Sequence, residues 1–140
     1  MTGTAERAYL ALGSNLGDRE AHLRMAREAL SRLPGTQLIG ASTVEETKPL
    51  GGMEQPAYLN QMVLVETELE PQALLGACQA IETRAGRIRG ERWGPRTLDI
   101  DIVRYGERRI SEPGLVIPHP GLADRDFWQR ELAELENHAR

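Results

Sequence analysis

Hydrophobic and polar positions along this chain alternate between two periods. Ala8 to Leu12 (AYLAL) is a short apolar run that reads as a strand, closed by the turn Gly13-Ser14-Asn15-Leu16-Gly17-Asp18. Behind Asp18, a suitable N-cap, Leu23, Ala26, Leu30 and Leu33 recur at helical spacing until Pro34-Gly35 stops the helix. Thr36 to Thr47 reads as a second strand with Leu38, Ile39, Ala41 and Val44 as its apolar content. Lys48 to Ala57 (KPLGGMEQPA) is a Pro/Gly-rich loop, longer than a hairpin turn. Tyr58 to Leu69 returns as a third strand: Val63 and Val65 share a face with Leu69, while Tyr58, Asn60, Met62 and Leu64 share the other.

Pro71 to Ala85 predicts a second helix, with Pro71 at its first position and Leu74, Leu75, Cys78 and Ile81 as the buried stripe. Gln79 and Glu82 lie one turn apart on its flank, where solvent-facing residues are the ordinary expectation. A fourth strand puts Leu98, Ile100 and Ile102 on one face and Asp99, Asp101 and Val103 on the other. Arg108 to Ile110 reads as a short returning strand and Ala123 to Ala139 as a final helix with Phe127, Leu132 and Leu135 at core-like spacing. The order β–α–β–β–α–β predicts an α+β, ferredoxin-like core. Its antiparallel sheet carries helices on one face, followed by an extra short strand and a C-terminal helix. One domain, residues 1–140, is the simplest organisation for this length.

Composition narrows the function classes. The formal net charge of −4 argues against general nucleic-acid or anionic-membrane binding. Positive charge is nonetheless concentrated locally: Arg84, Arg87, Arg89, Arg92 and Arg96 fall within thirteen residues, where an anionic ligand would relieve their repulsion. Cys78 is the single cysteine, so neither an intrachain disulfide nor a cysteine metal site is expected. The chain holds no apolar run near the roughly 20 residues of a membrane span, and no signal-peptide pattern near Met1, so a cytoplasmic protein is expected.

The candidate chemistry lies in Glu91 to Tyr105, ERWGPRTLDIDIVRY. Asp99 and Asp101 are two residues apart on one strand face, which suits one hard cation or a pair of them. A bare D-x-D is more often the wet face of a half-buried strand. Arg92 and Arg96, with planar forks that fit phosphate oxygens, and the Trp-Gly-Pro-Arg turn move the balance toward a metal–phosphate site. The glycine turn at residues 13–18 lacks the G-x-x-x-x-G-K-[ST] pattern of a P-loop. His119, held between Pro118 and Pro120, is by position more often structural than catalytic. A non-catalytic RNA-binding module of the same fold is disfavoured by six aromatics in all and no RNP-like strand.

Five pieces together resemble the 6-hydroxymethyl-7,8-dihydropterin pyrophosphokinase family of folate biosynthesis: LGSNLGD (Leu12–Asp18), TKPLG (Thr47–Gly51), QPAYLN (Gln55–Asn60), GRIRGERWGPRTLDIDI (Gly86–Ile102) and IPHP (Ile117–Pro120). They lie in the family's order and span nearly the whole chain. The resemblance implies transfer of pyrophosphate from ATP to the hydroxymethyl group of a reduced pterin, releasing AMP. It implies that Asp99 and Asp101 hold two Mg²⁺ ions, and that Arg87 and Arg96 neutralise phosphate charge. It places Gln79, Glu82, Arg89, Trp93, Arg96, Ile102 and His119 on the ATP side. Thr47, Leu50, Tyr58, Asn60 and Phe127 would form the pterin pocket, with the Tyr58 and Phe127 rings sandwiching the pterin and Asn60 reading its polar edge. ATP as co-substrate, a reduced pterin, no nucleic acid, no membrane and a monomeric state complete the expectation. After Phe127, Trp128-Gln129-Arg130-Glu131 departs from the family's usual apolar Pro-Leu pattern.

Overall fold

The computed structural model describes residues 5–48, 56–86 and 97–138. β1 (Glu6–Ser14) leads through Asp18 into α1 (Arg19–Ser31), whose first turn is capped by the Asp18 carboxylate accepting from the Ala21 N–H. Such a cap contributes about 1 kcal/mol. Leu23, Ala26 and Leu30 form the buried stripe, as their spacing predicts. The expected second strand divides in two, β2 (Thr36–Ala41) and β3 (Glu45–Thr47). The cause lies at Ser42: it is buried, its N–H still donates to the Met62 carbonyl, but its hydroxyl accepts the Met62 N–H and its carbonyl accepts the Gln61 side-chain amide, so side-chain bonds interrupt the strand ladder there. β4 (Tyr58–Thr67), α2 (Pro71–Arg84) and β5 (Asp99–Tyr105) follow. β6 (Ile110–Glu112) and β7 (Leu115–Ile117) pair as a small hairpin, and α3 (Asp126–His138) follows a 3₁₀ turn at Leu122–Asp124.

The strand order is β2-β4-β1-β5, all antiparallel, with β3 also pairing β4. This is the ferredoxin-like arrangement, with β4 and β1 as its central strands. One face carries Ala8, Leu10, Leu12, Val63, Val65, Ile100 and Ile102, packed against Leu23, Leu30, Leu74 and Ile81 of α1 and α2. Full burial of each large aliphatic side chain there contributes about 1.5–3 kcal/mol.

The other face receives the C-terminal helix. Ala11, Met62, Leu64 and Val103 pack against Trp128, Leu132 and Leu135 of α3. Trp128, not Phe127, is the buried aromatic at the start of that helix; Phe127 is half-buried beside it. Gly40 on β2 gives α3 its seat, since a Cβ there would lie 3.3 Å from a Leu135 methyl.

β5 contains a bulge. Tyr9 pairs with Arg104 and Leu10 with Ile102, so Val103 is the extra residue. Its carbonyl is not left orphaned: it accepts the His119 N–H at 2.9 Å. The bulge also turns Tyr105 onto the α1/α2 face, where its hydroxyl donates to the Leu69 carbonyl.

Candidate active site

Directly paired strand residues point to the same face, so the register defines a row across the sheet. Glu45 pairs with Asn60, Asn60 with Gly13, and Gly13 with Asp99. The next row down is Met62, Ala11 and Asp101. Both rows face the α3 side. α3 covers Met62 and Ala11, whereas the Asp101 side chain stays 45% exposed and Asp99 half-buried. The strand alternation therefore does what the D-x-D spacing predicts, presenting two carboxylates on one accessible face.

His119 is the group that the tertiary fold adds to them. The bulged Val103 carbonyl holds its backbone, and its ring meets Trp128 edge-on at 5.0 Å. Its Nδ1 accepts from the Gly121 N–H at 2.9 Å, so the neutral ring carries its hydrogen on Nε2. Nε2 lies 3.7 Å from an Asp101 carboxylate oxygen, beyond hydrogen-bond reach, which leaves that N–H for another acceptor. Burial, and secondarily the Arg125 guanidinium, hold the imidazole below its ordinary pKa. Arg125 is itself stacked 4.6 Å over the Trp128 ring.

Asp101, His119, Ile102, Leu75 and Val116 line a cavity of about 230 Å³ at the outer edge of β5. Leu75, which helical spacing assigned to the buried stripe, is half-buried on this cavity, and Val116 was not singled out by sequence reasoning. Their signal is weak, because apolar residues on a helix and a short strand read as core. Glu82 corrects an expectation. It is not a solvent-facing residue of α2 but a buried one, and its carboxylate accepts the Ile100 N–H at 2.7 Å. That charge-assisted bond fixes α2 against the strand bearing the aspartates. Gln79 is exposed on α2 and does not line this cavity.

At the other end of the row, Asn60 donates through Nδ2 to the Thr47 hydroxyl, and Thr47 pairs with Tyr58. A Cβ on Gly13 would stand 3.4 Å from the Asn60 carbonyl oxygen and 3.5 Å from the Tyr58 ring. Its absence leaves a flat floor between Asn60 and Asp99. Phe127, in the first turn of α3, meets the Trp128 ring edge-on at 6.3 Å. Thr47, Tyr58 and Asn60 are thus brought together on one side of Gly13, and Asp101, Ile102 and His119 on the other. Leu50, Arg87, Arg89, Trp93 and Arg96 lie outside the described residues, as does Arg92.

Two further anchors escaped sequence reasoning. Asn15, 1% exposed, donates to the Pro56 carbonyl, and Arg19 donates to the Ala57 carbonyl at 2.8 Å and to Glu46 at 2.9 Å. They tie the segment entering β4 to the turn after β1. The asparagine within the LGSNLGD turn is the signal that could have found the first of them.

The donor set fits a hard cation. Two carboxylates stand on one face, and no cluster of three or more His, Cys, Asp or Glu side chains occurs among the described residues. Mg²⁺ takes one or two carboxylates and completes its shell with water and phosphate oxygens.

Comparison with known proteins places the chain. Residues 9–137 match the family model described as 7,8-dihydro-6-hydroxymethylpterin-pyrophosphokinase (HPPK). Proteins named 2-amino-4-hydroxy-6-hydroxymethyldihydropteridine pyrophosphokinase are similar to it. That of Pseudomonas aeruginosa is 43% identical over 130 residues, covering 93% of this chain and 80% of the relative. That of Haemophilus influenzae is 46% identical over 128 residues, covering 91% and 80% respectively. The Bacillus subtilis protein is 42% identical over 128 residues, covering 91% and 77%.

Proposed function

Because the chain belongs to the 7,8-dihydro-6-hydroxymethylpterin-pyrophosphokinase family, we propose that it pyrophosphorylates 6-hydroxymethyl-7,8-dihydropterin from Mg-ATP in folate biosynthesis. The pterin hydroxymethyl oxygen forms a bond to the β-phosphorus of ATP. The bond from that phosphorus to the α,β-bridging oxygen breaks, AMP departs, and the hydroxyl proton is released. The observation carrying the reading is the shared face of the sheet, where Asn60, Gly13 and Asp99 form one row and Asp101 stands beside His119 at a cavity.

On this reading the apolar walls Leu75, Ile102 and Val116 receive the nucleoside, and the His119 Nε2–H donates to it or to its phosphates. Gly13 lets the pterin lie flat against the strand, with Tyr58 and Phe127 as its two ring contacts and Asn60 and Thr47 at its polar edge. The two ends of the row then hold the hydroxymethyl oxygen toward the phosphates, which is the positioning that phosphoryl chemistry chiefly requires. Asp99 and Asp101 would hold two Mg²⁺ ions, which supply charge neutralisation on the phosphates when bound. Asp99 is the side chain placed to accept the hydroxyl proton. Arg87 and Arg96 add cationic charge, and Arg89, Trp93, Gln79 and Leu50 complete the two substrate sites.

The net charge of −4 supports small-molecule substrates without nucleic acid. We assign the chain one domain that acts as a cytoplasmic monomer; no helix of the described residues is long and apolar enough to cross a membrane.

The test is a product assay with Mg-ATP and 6-hydroxymethyl-7,8-dihydropterin that separates AMP from ADP. Pterin-dependent AMP matched by pterin diphosphate is expected. ADP would mean single phosphoryl transfer and a misassigned phosphate, and no turnover with both ligands bound would mean a non-catalytic binder.

A further inference from the structure

The proposed chemistry makes no use of the most deeply buried acid among the described residues. Glu131 on α3 is 2% exposed, and as a carboxylate it finds no hydrogen-bond donor for either oxygen. An ionised group in that position is strongly unfavourable. Facing it is Glu45 of β3, which Arg130 binds at 2.9 Å. Two carboxylates cannot hydrogen-bond to each other, but one proton makes Glu131 a donor and Glu45 its acceptor. Burial first, then the hydrogen bond to Glu45 and the Glu45 charge, push Glu131 up to about 9. Burial also works to raise Glu45, but the hydrogen bonds from Glu131 and Arg130 and the Arg130 charge bring it below the ordinary carboxylate value. The pair therefore shares a single proton, held on Glu131.

Other charges around the pair are accounted for. Arg130 opposes the rise of Glu131, and Glu134 adds to it; Asp126 acts on Glu45 and pairs with Arg130 at 3.4 Å. Glu66, the only charged side chain of β4, pairs with Arg7, while β2 carries no charge. Arg104 of β5 pairs with Glu136, one turn beyond, and Asp124 of the preceding turn is exposed.

The location matters more than the titration. Glu45 is the register partner of Asn60, and two residues on, Thr47 accepts from the Asn60 amide. Glu131 follows Phe127 by one helical turn. One turn later still, the Glu134 carboxylate accepts from the Thr43 N–H and hydroxyl at 3.0 and 3.1 Å. Successive residues of α3 thus grip residues 43–45, the segment that feeds the Thr47–Asn60 edge.

We infer that the Glu131 carboxyl, hydrogen-bonded to Glu45, is a positioning residue: it seats the first turns of α3 on β3 and so sets the spacing between Phe127 and the Asn60–Thr47 edge. The inference rests on the assignment of those residues to the pterin pocket. Its pH sense follows from linkage. Between pH 4.5 and about 9 the folded chain holds a proton that the unfolded chain releases, so stability falls across that window and the seat is lost as pH rises through about 9.

The test measures KM for pterin and for ATP between pH 7 and 10 in the wild type, Glu131→Gln, Glu131→Ala and Asn60→Ala, with melting midpoints alongside. Glu131→Gln keeps a donor without a titration. At pH 7 its pterin KM should match the wild type, and above pH 9 the wild-type KM should climb away from it about fivefold, the worth of one ordinary hydrogen bond. KM for ATP should show no such divergence. Glu131→Ala should raise pterin KM about fivefold already at pH 7, with kcat nearly unchanged. The melting midpoint of Glu131→Gln should gain on the wild type as pH rises toward 9. Parallel pH courses for the wild type and Glu131→Gln, or equal changes in both KM values, overturn the inference. An unchanged pterin KM in Asn60→Ala overturns the pocket assignment instead, and the inference with it.

Discussion

The two faces of this sheet are built from the same strands and do opposite things. The face under α1 and α2 is closed by aliphatic side chains that interdigitate with both helices, from Ala8 and Leu12 on β1 to Ile100 and Ile102 on β5. The face under α3 is closed over part of its length, by Trp128, Leu132 and Leu135, and then becomes polar at Asn60, Gly13, Asp99 and Asp101. A closed face needs only volume and pattern. A half-open one needs a helix placed so that it covers the apolar rows and stops before the polar ones. The difference shows how one alternating strand serves stability with one set of side chains and chemistry with the other.

Substitutions can break that division in order of size. Asp101→Ala should lower pterin-dependent AMP formation by about a thousandfold, equivalent to about 4 kcal/mol of transition-state stabilisation, with the melting midpoint moved little. A large loss of stability in that variant would mean that the polar face is structural after all. Leu10→Ala, on the closed face, should do the reverse. A loss of about 2–5 kcal/mol is expected in denaturant titration, with turnover per folded molecule retained. Glu82→Gln probes the seam between the two, because the amide accepts from Ile100 without a charge. Unfolding should be easier by about 1–2 kcal/mol, with a parallel rise in KM for ATP. Gly13→Ala is the finest cut. Its Cβ fits beside Asn60 and Tyr58 at contact distance, so stability should hold while pterin KM rises about tenfold, or about 1.4 kcal/mol.

Much of this was legible in the chain because period-2 patterns report strand faces directly. Asp99 and Asp101 opposite Ile100 and Ile102, and Asn60 with Met62 opposite Val63, emerged where their alternation put them. Four features were not legible, each because a tertiary partner decided it. Ser42 looks like an unremarkable strand residue until its hydroxyl is seen taking the Met62 N–H and ending β2. Glu82 looks like a wet helix flank because the Ile100 N–H that recruits it comes from a strand eighteen residues away. The choice of Trp128 over Phe127 as the buried ring depends on which face of the sheet receives α3, and helical spacing alone cannot distinguish neighbouring residues at a helix start. The pairing of His119 with Asp101 likewise depends on the path of the chain through β6 and β7.

The extra residue at Val103 works as a clutch in β5. In a strictly alternating strand Asp99, Asp101 and Tyr105 would share a face; the two-for-one step at Val103 lets the aspartates keep the open face while Tyr105 turns to Leu69. With it, the first half of the strand keeps time with the reaction and the second half with the scaffold. The slipped carbonyl, caught by His119, becomes the peg that brings a distant segment into step with both. Deleting that one residue would restore a regular ladder from Ile102 to Arg104 and remove the carbonyl that holds His119.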